Sequence, residues 1–384
     1  MMFKDLVKKS ILDIHSYEPG RPIDEVRREL RKKYGFLRLI PLMNIVKLVS
    51  NENPLGPSKK AIRAMKKAAA TANRYPDPFC RDITKALSEE LNVLPKNIIL
   101  GNGSDEIIEF ILLAFLNPGD EVVMNHPAFM LYEIATKVMG GEPVIVPLKE
   151  FKPDLDAMAA AITPKTKLVF IDNPNNPTGR SVGEMEVEAF LERLPDSVIA
   201  VFDEAYYDFV EREDFPDTIR YIGRKNVIVL RTFSKAHGLA GLRIGYGIAG
   251  DELIKYMKRT QMPFNVNCIA QAAAIAALKD KGHIEMSRLV IGEGKQYLYK
   301  ELGAMGLKYV KSDTNFILVD LGRSGKDMFR KLIGHGVIIR DMDYYKLYNF
   351  IRVTVGTMPE NKKFIKELKK ILNGKWSGIE ADLF

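Results

Sequence analysis

The stretch that decides the fold is KLVFIDNPNNPTG, residues 167–179, in which an apolar run ends in a polar loop. Similar apolar runs lie nearby in the sequence, at residues 97–100, 121–124, 143–146, 198–202 and 227–230. Several of these runs are separated by stretches with helical spacing, for example residues 107–115. Apolar strands that alternate with helices are typical of a mostly parallel sheet covered by helices on both faces. The sequence therefore predicts an α/β fold.

The pattern changes after residue 250, and a chain of 384 residues is longer than one hydrophobic core usually organises. A helical region at 252–305 precedes strand-like segments at 315–320, 336–340 and 350–355, which indicates a second, α+β domain. We predict an N-terminal arm at 1–48 that joins the smaller domain, a large domain at 49–280, and the smaller C-terminal domain at 281–384.

The composition favours a globular enzyme over a nucleic-acid or membrane protein. The net charge of +8 comes from basic residues mixed with acidic ones, as in EVRRELRKK at 25–33, which is typical of a solvated surface. No apolar run approaches the roughly 20 residues of a membrane helix, and the first residues lack a secretory signal. The two cysteines, Cys80 and Cys268, lie far apart, and the five histidines lack ligand spacing. We therefore expect a cytoplasmic protein without disulfides or a metal site.

Polar loops that follow the predicted strands hold the candidate functional residues, because ligands bind at the carboxyl ends of parallel strands. The first such loop is GNGSDE at 101–106, in which two glycines let backbone N–H groups approach an anion at the start of a helix. The alternative is an ordinary turn with Ser104 or Asp105 as the helix cap. A dinucleotide-binding fingerprint would need glycine where the sequence has Glu106.

Three further strand ends add to this set. They carry NPNNPTG at 173–179, DEAY at 203–206 and TFSKAHGLAGLR at 232–243. A lysine flanked by hydroxyl groups, with Arg243 eight positions after Lys235, suits a Schiff-base lysine beside a bound phosphate. Such chemistry needs a partly desolvated lysine and an acid that pairs with the cofactor's pyridinium nitrogen.

These motifs resemble those of the fold-type I aminotransferases (class I/II) that depend on pyridoxal 5′-phosphate (PLP), most closely the histidinol-phosphate aminotransferase branch. The resemblance rests on SKxxGLxGxR around Lys235, with NPxNPTG and DEAY in the family's order, and extends from YEPG at 17–20 to RVTVG at 352–356. It implies the fold of PLP-dependent transferases of type I: a large domain with a mostly parallel seven-stranded sheet plus a smaller α+β domain. It also implies a homodimer with shared active sites.

The resemblance implies a role in the cofactor site for each matching residue. Lys235 would hold PLP and later move a proton, and Asp203 would pair with the pyridinium nitrogen. Tyr206 and Asn176 would hydrogen-bond the phenolic oxygen, and Phe129 would stack on the ring, where relatives often have tyrosine. The residues expected around the phosphate are Ser104, Asp105 through its backbone N–H, Thr232, Ser234, Arg243 and, from the partner subunit, Tyr75.

The same resemblance points to a substrate site. Arg352 matches the family's arginine for the substrate anion, since a guanidinium binds a carboxylate or phosphate through two hydrogen bonds. Arg340, Tyr17 and Asn53 are further candidates, for which an ordinary structural role stays open. The segment at 31–41 is longer than the family pattern, and the tail at 376–384 has no role that we can assign.

The implied activity is amino transfer from L-histidinol phosphate to 2-oxoglutarate in histidine biosynthesis. One alternative is an aminotransferase for aromatic or other amino acids. Another is a PLP-dependent decarboxylase of a phosphorylated amino acid such as threonine phosphate. A non-catalytic PLP-binding regulator would need a DNA-reading domain, and neither end of the sequence has a helix-turn-helix of sufficient length.

The sequence predicts which lysine carries the cofactor. Borohydride reduction of the protein with PLP should attach the cofactor irreversibly to the peptide that contains Lys235, as measured by peptide mass spectrometry. Lys235→Ala should still bind PLP, but without the covalent link, and its turnover should fall by orders of magnitude. Labelling of another lysine in the unaltered protein would contradict the assignment.

Overall fold

The computed structural model describes residues 6–12, 14, 22–34 and 45–374. The chain divides into two compact units, a larger one formed by Met1–Ser16 and Gly56–Glu285, and a smaller one formed by Tyr17–Leu55 and Met286–Phe384. Among the described residues, no helix is both long and apolar enough to cross a membrane.

The described part of the larger unit contains a seven-stranded sheet, as predicted. Across the sheet the strands follow the order β2 (Ile98–Gly101), β8 (Gly245–Ala249), β7 (Val227–Thr232), β6 (Ile199–Asp203), β5 (Thr166–Asp172), β3 (Glu121–His126) and β4 (Glu142–Pro147). Neighbouring strands are parallel except at β8, which is antiparallel to both β2 and β7. The predicted apolar runs are all strands, whereas β8 was missed because its sequence, GYGIA, contains two glycines and no long apolar run.

Helices cover both faces of this sheet. They are α2 (Lys59–Ala69), α3 (Arg81–Leu91), α4 (Ser104–Phe115), α5 (Leu131–Val138), α6 (Leu155–Ala160), α7 (Glu184–Arg193), α8 (Asp251–Met257) and α9 (Cys268–Leu278). Alternate residues of a strand point to opposite faces. In β5, Leu168 and Phe170 therefore pack in one apolar cluster with side chains of α4, α5 and α8, while Val169 and Ile171 pack in another with side chains of α3, α7 and α9. The sheet is buried on both faces, as its apolar strands predicted.

The smaller unit has the predicted α+β character. Its elements are α1 (Ile23–Tyr34), β1 (Val46–Lys47), α10 (Lys281–Ala304), β9 (Lys308–Tyr309), β10 (Phe316–Asp320), α11 (Gly325–Gly334), β11 (Val337–Ile338), β12 (Arg340–Asp341), β13 (Phe350–Thr354) and α12 (Met358–Leu372). An antiparallel sheet has the order β12-β13-β10-β9, and β1 pairs with β11 in parallel. The helical region predicted at 252–305 consists of α8, α9 and α10, and the unit boundary after residue 285 falls inside α10.

The boundary near the N-terminus differs from the predicted one. Residues 49–55, which we assigned to the large domain, belong to the smaller unit. Hydrogen bonds explain this, since Thr354 N donates to Leu48 O at 3.0 Å and Asn51 N donates to Thr354 Oγ1 at 3.0 Å. In the predicted arm, the 3₁₀ helix Lys9–Ile11 instead contacts α5 of the larger unit.

Candidate active site

The carboxyl ends of the parallel strands bring the predicted cofactor residues together in the larger unit. Asp203 is the last residue of β6 and Thr232 the last of β7, while Ser104 and Asn176 follow β2 and β5. Adjacent parallel strands end at the same edge of a sheet, so loops far apart in sequence become neighbours there.

A cup for an anion lies where β7 ends and α4 begins. The hydroxyl of Thr232 donates to Ser234 Oγ at 3.0 Å, and Arg243 Nη1 lies 3.4 Å from the same oxygen. Arg243 Nη2 also binds Asp105 Oδ2 at 3.1 Å, in the first turn of α4. Two hydroxyl groups, a guanidinium and the N-terminus of a 12-residue helix suit a phosphate monoester.

Two glycines allow the cup to close this tightly. A Cβ atom at Gly103, which has a φ of +86°, would lie 2.5 Å from Arg243 Nη2. A Cβ atom at Gly245 would lie 2.5 Å from Ser104 N. The clash at Gly245 is with backbone, and the positive φ at Gly103 strains any residue with a side chain, so both positions favour glycine.

Asp203 is buried and hydrogen-bonded beside this cup. The hydroxyl of Tyr132 donates to Asp203 Oδ2 at 2.7 Å, and Ala205 N donates to Oδ1 at 3.1 Å. Burial raises the pKa of Asp203 to about 6, although the hydrogen bonds from Tyr132 and Ala205 act to lower it. A cationic ring nitrogen would offset the cost of burying this carboxylate. The donor set and the buried acid therefore fit a phosphorylated pyridine cofactor.

Tyr132 is a site residue that the sequence analysis missed. Its ring stacks on Phe170 with centroids 4.7 Å apart and meets the Phe129 ring edge-on at 5.6 Å. The available signal was its place three residues after Phe129, one helical turn away. Its hydroxyl is fully buried, and both burial and the nearby Asp203 charge raise the pKa of Tyr132 well above its ordinary value.

The other predicted ring-side residues lie around the same strand ends. Lys235 is half-buried, and its Nζ atom lies 5.5 Å from the centroid of the buried Tyr206 ring. The backbone N–H groups of Asn176 and Phe129 both donate to Asp172, at 3.0 and 3.2 Å. Their roles toward a cofactor stay predictions.

A buried ion pair joins the DEAY loop to the lysine-bearing loop. Arg231 Nη2 lies 2.8 Å from Glu204 Oε2, and Thr218 donates its hydroxyl to the other oxygen of Glu204. The Arg231 guanidinium also lies over the Tyr207 ring, 3.7 Å from its centroid. Because Glu204 follows Asp203 and Arg231 precedes Thr232, this pair fixes the two strand ends beside each other.

The structure of the single chain shows no contact between Tyr75 and the described residues of the anion cup. Its side chain is 81% exposed and stacks on Phe264 at 4.4 Å between ring centroids. Phe79 and Met262, each 69% exposed, are two further exposed apolar residues of the larger unit.

The smaller unit holds the predicted substrate residues. Arg340 on β12 and Arg352 on β13 are direct register partners in the antiparallel sheet. Arg352 is buried, and its Nη2 donates to Val49 O at 2.9 Å. Asn53 donates to Ser287 Oγ at 2.8 Å and accepts from Leu55 N, which gives it a role in the local turn. Tyr17, residues 35–41 and the tail at 376–384 lie outside the described residues.

The α/β sheet, the anion cup and Lys235 in the loop after β7 are the arrangement that the resemblance implied for an aminotransferase. Over residues 43–368 the sequence matches the family model for aminotransferase class I and II. The chain belongs to this family, which confirms the family predicted from its motifs.

Among the relatives that are similar to the chain over most of its length are several histidinol-phosphate aminotransferases. The chain is 49% identical over 367 residues to a histidinol-phosphate aminotransferase of Moorella thermoacetica, covering 95% of this chain and 92% of that one. It is 42% identical over 372 residues to one of Caldicellulosiruptor saccharolyticus, covering 97% and 100%. The crystal structure of histidinol-phosphate aminotransferase from Sinorhizobium meliloti with pyridoxal-5′-phosphate superposes with a TM-score of 0.85 at 28% identity, covering 96% and 98%.

Tyr132 generates a test of the electrostatics at Asp203. Tyr132→Phe removes a hydrogen bond that lowers the pKa of Asp203, so this pKa should rise above about 6. We expect a rise of about one unit, since a hydrogen bond to a charged group contributes roughly 1.5 kcal/mol or more. The measurement is an NMR pH titration of the protein with ¹³C-labelled aspartate carboxyl groups. Tyr221→Phe is the control, because that hydroxyl binds Glu188; an unchanged Asp203 titration in Tyr132→Phe would contradict the argument.

Proposed function

We propose that this protein is a PLP-dependent aminotransferase that transfers the amino group of L-histidinol phosphate to 2-oxoglutarate in histidine biosynthesis. The observation that carries the substrate assignment is the pair of arginines, Arg340 and Arg352, at one register position of the smaller unit. The similarity to histidinol-phosphate aminotransferases over nearly the whole chain supports it. Both cysteines are free thiols, which supports a place in the cytoplasm.

PLP is the cofactor that we propose for the larger unit. The anion cup would hold its phosphate, Asp203 its ring nitrogen, and Asn176 and Tyr206 its phenolic oxygen, while Lys235 would hold it covalently. When bound, PLP supplies an electron sink that stabilises the negative charge left on a substrate carbon after deprotonation. The buried acid and the two glycines of the cup support this choice.

The reacting side chain of the protein is Lys235. With PLP bound, the Nζ atom of Lys235 would be the group that takes the proton from the amine-bearing carbon of the donor. Asp203 stays ionised next to a cationic ring nitrogen, and Tyr132 and Ala205 hold the carboxylate in place through their hydrogen bonds.

The two arginines support a phosphorylated donor. Residues directly opposite each other on adjacent antiparallel strands have side chains on the same face of the sheet, within reach of one another. A phosphate dianion would bind both guanidinium groups, and it accepts more hydrogen bonds than a carboxylate does. The carboxylate of 2-oxoglutarate, the second substrate, would use the same groups in turn.

Substitution of each arginine tests the substrate assignment. We expect the unaltered protein to prefer L-histidinol phosphate over histidinol by more than about tenfold in kcat/KM. Histidinol lacks the phosphate, so it cannot form the charge-assisted hydrogen bonds to the two guanidinium groups. Arg340→Ala should erode this preference more than it harms an amino-acid donor, whereas Arg352→Ala should harm both.

Initial rates with 2-oxoglutarate measure these preferences, and Arg323→Ala is the control because it removes an exposed arginine of the same unit. A higher kcat/KM for phenylalanine or tyrosine would contradict the histidine-pathway assignment and favour an aromatic aminotransferase. Release of carbon dioxide without a need for 2-oxoglutarate would indicate a decarboxylase.

We propose that the active protein is a homodimer in which Tyr75 serves the phosphate cup of the partner subunit. Tyr75 is 81% exposed, and Phe79, four residues later in the chain, is 69% exposed, although both side chains are aromatic. Exposed apolar clusters of this kind mark association surfaces. A second copy of the chain is the partner that the family resemblance implies.

A subunit-mixing experiment tests the shared site. Tyr75→Ala and Lys235→Ala should each be poorly active, but mixing them under conditions of subunit exchange should restore part of the activity, because a hybrid dimer has one site with both residues intact. Assays after mixing, with sedimentation analysis, measure this. A Tyr256→Ala variant, altered at an exposed tyrosine elsewhere, should gain nothing from Tyr75→Ala beyond its own activity. Full activity in a monomer at low concentration would contradict the proposal.

A further inference from the structure

Asp172 is a buried acid that none of the proposed roles uses. It ends β5 immediately before the NPNNPTG loop, and its side chain is almost fully buried. Asp172 and Asp203 are direct register partners on the adjacent strands β5 and β6. Two carboxyl groups therefore end neighbouring strands of the same sheet.

The carboxyl group of Asp172 accepts hydrogen bonds from two different loops. Its Oδ2 accepts from the backbone N–H groups of Asn176 at 3.0 Å and Phe129 at 3.2 Å. Its Oδ1 accepts from the side-chain amide of Asn175 at 2.9 Å, which also donates to Pro127 O at 3.1 Å. These bonds fasten the loop that carries Phe129 to the loop that carries Asn176.

The surrounding groups require an acceptor at both oxygens of Asp172. Asn175 cannot turn its amide around, because its Oδ1 already accepts from the backbone N–H and the hydroxyl of Thr178, at 3.1 and 2.7 Å. Its NH₂ group therefore faces Asp172. These three donors favour the ionised form of the group at 172, which it takes above its pKa.

This carboxylate is costly where it stands. Burial raises the pKa of Asp172 to about 8, and the neighbouring Asp203 acts in the same direction, while the hydrogen bonds from Asn176, Asn175 and Phe129 lower it. Two buried negative charges next to each other do not stabilise a fold. Residues that lower stability in this way are expected at functional sites.

We propose that Asp172 is a positioning residue for the cofactor: it fixes Phe129 and Asn176 in one arrangement and, when ionised, adds a second negative charge beside Asp203. This inference rests on the proposed PLP function. The arrangement places the residues expected at the ring face and at the phenolic oxygen, and the added charge raises the basicity of the ring nitrogen that Asp203 would hold.

Asp172→Asn tests the inference, because the amide has the same shape but must turn an NH₂ group toward a donor. PLP should bind about tenfold more weakly or worse, since a buried donor is left unsatisfied. In addition, at a pH above about 8, where Asp172 is ionised, the ¹⁵N resonance of ring-labelled PLP should shift toward that of the unprotonated ring nitrogen. Glu367→Gln is the matched control: it alters a buried carboxylate of the smaller unit, bound to His335 and Lys370, and should change neither quantity.

The double variant Asp172→Asn with Asn175→Asp exchanges the polarity of the hydrogen bond between these two side chains, and it loses the bond from Asn175 to Pro127 O. The amide at 172 can then donate to the carboxylate at 175 and still accept from both backbone N–H groups, so PLP affinity should recover in part. If Asp172→Asn does not fold, a folded double variant that binds PLP supports the inference, and a double variant that also fails to fold contradicts it.

The outcomes separate this inference from the proposed function. Suppose that the unaltered protein carries PLP on Lys235, and that Asp172→Asn binds PLP with an affinity within about twofold of it and an unchanged ¹⁵N resonance. The inference is then wrong and the proposed function stands, because losing a buried hydrogen bond would weaken binding by more than that. If the unaltered protein does not bind PLP, the proposed function itself is wrong.

Discussion

Burying the carboxylate of Asp203 at the end of β6 imposes a cost that the rest of the larger unit has to accommodate. The pKa of Asp203 is raised to about 6 by burial, even though Tyr132 and Ala205 donate hydrogen bonds to it. The apolar layers on both faces of the sheet produce this burial. A charge removed from water needs a cationic partner or further donors, so the site is prepared for a cation at this carboxylate.

The acids next to Asp203 are stabilised in two different ways. Glu204, the next residue in the chain, has a buried cation, Arg231, at 2.8 Å. Asp172, the neighbour across the sheet, has three N–H donors instead. Both solutions tie a strand end to a loop from elsewhere in the sequence. The electrostatic requirement and the rigidity of the site therefore have the same origin.

In the smaller unit, the predicted substrate residues include two positively charged arginines. Arg340 and Arg352 are register partners on adjacent strands, so their side chains lie on the same face of that sheet. Arg352 is held by a hydrogen bond to Val49 O, in the segment that follows β1. This segment belongs to the smaller unit because its backbone pairs with β13 and with Ile338, the last residue of β11, which is a property of the folded chain and not of its local sequence.

The sequence by itself determined the predicted strands of the larger sheet and the loops that carry the family motifs, because apolar runs and the loops that follow them are local features. Lys235, Asp203 and Arg243 could be named for the same reason. Only the tertiary structure decided that β8 pairs antiparallel between β2 and β7, since its two glycines give no apolar pattern. The hydrogen bond from Tyr132 to Asp203 spans 71 positions of the chain, and that from Phe129 to Asp172 spans 43. Contacts over such separations depend on which strands become neighbours in the sheet, and strand order is not encoded in any single stretch of sequence.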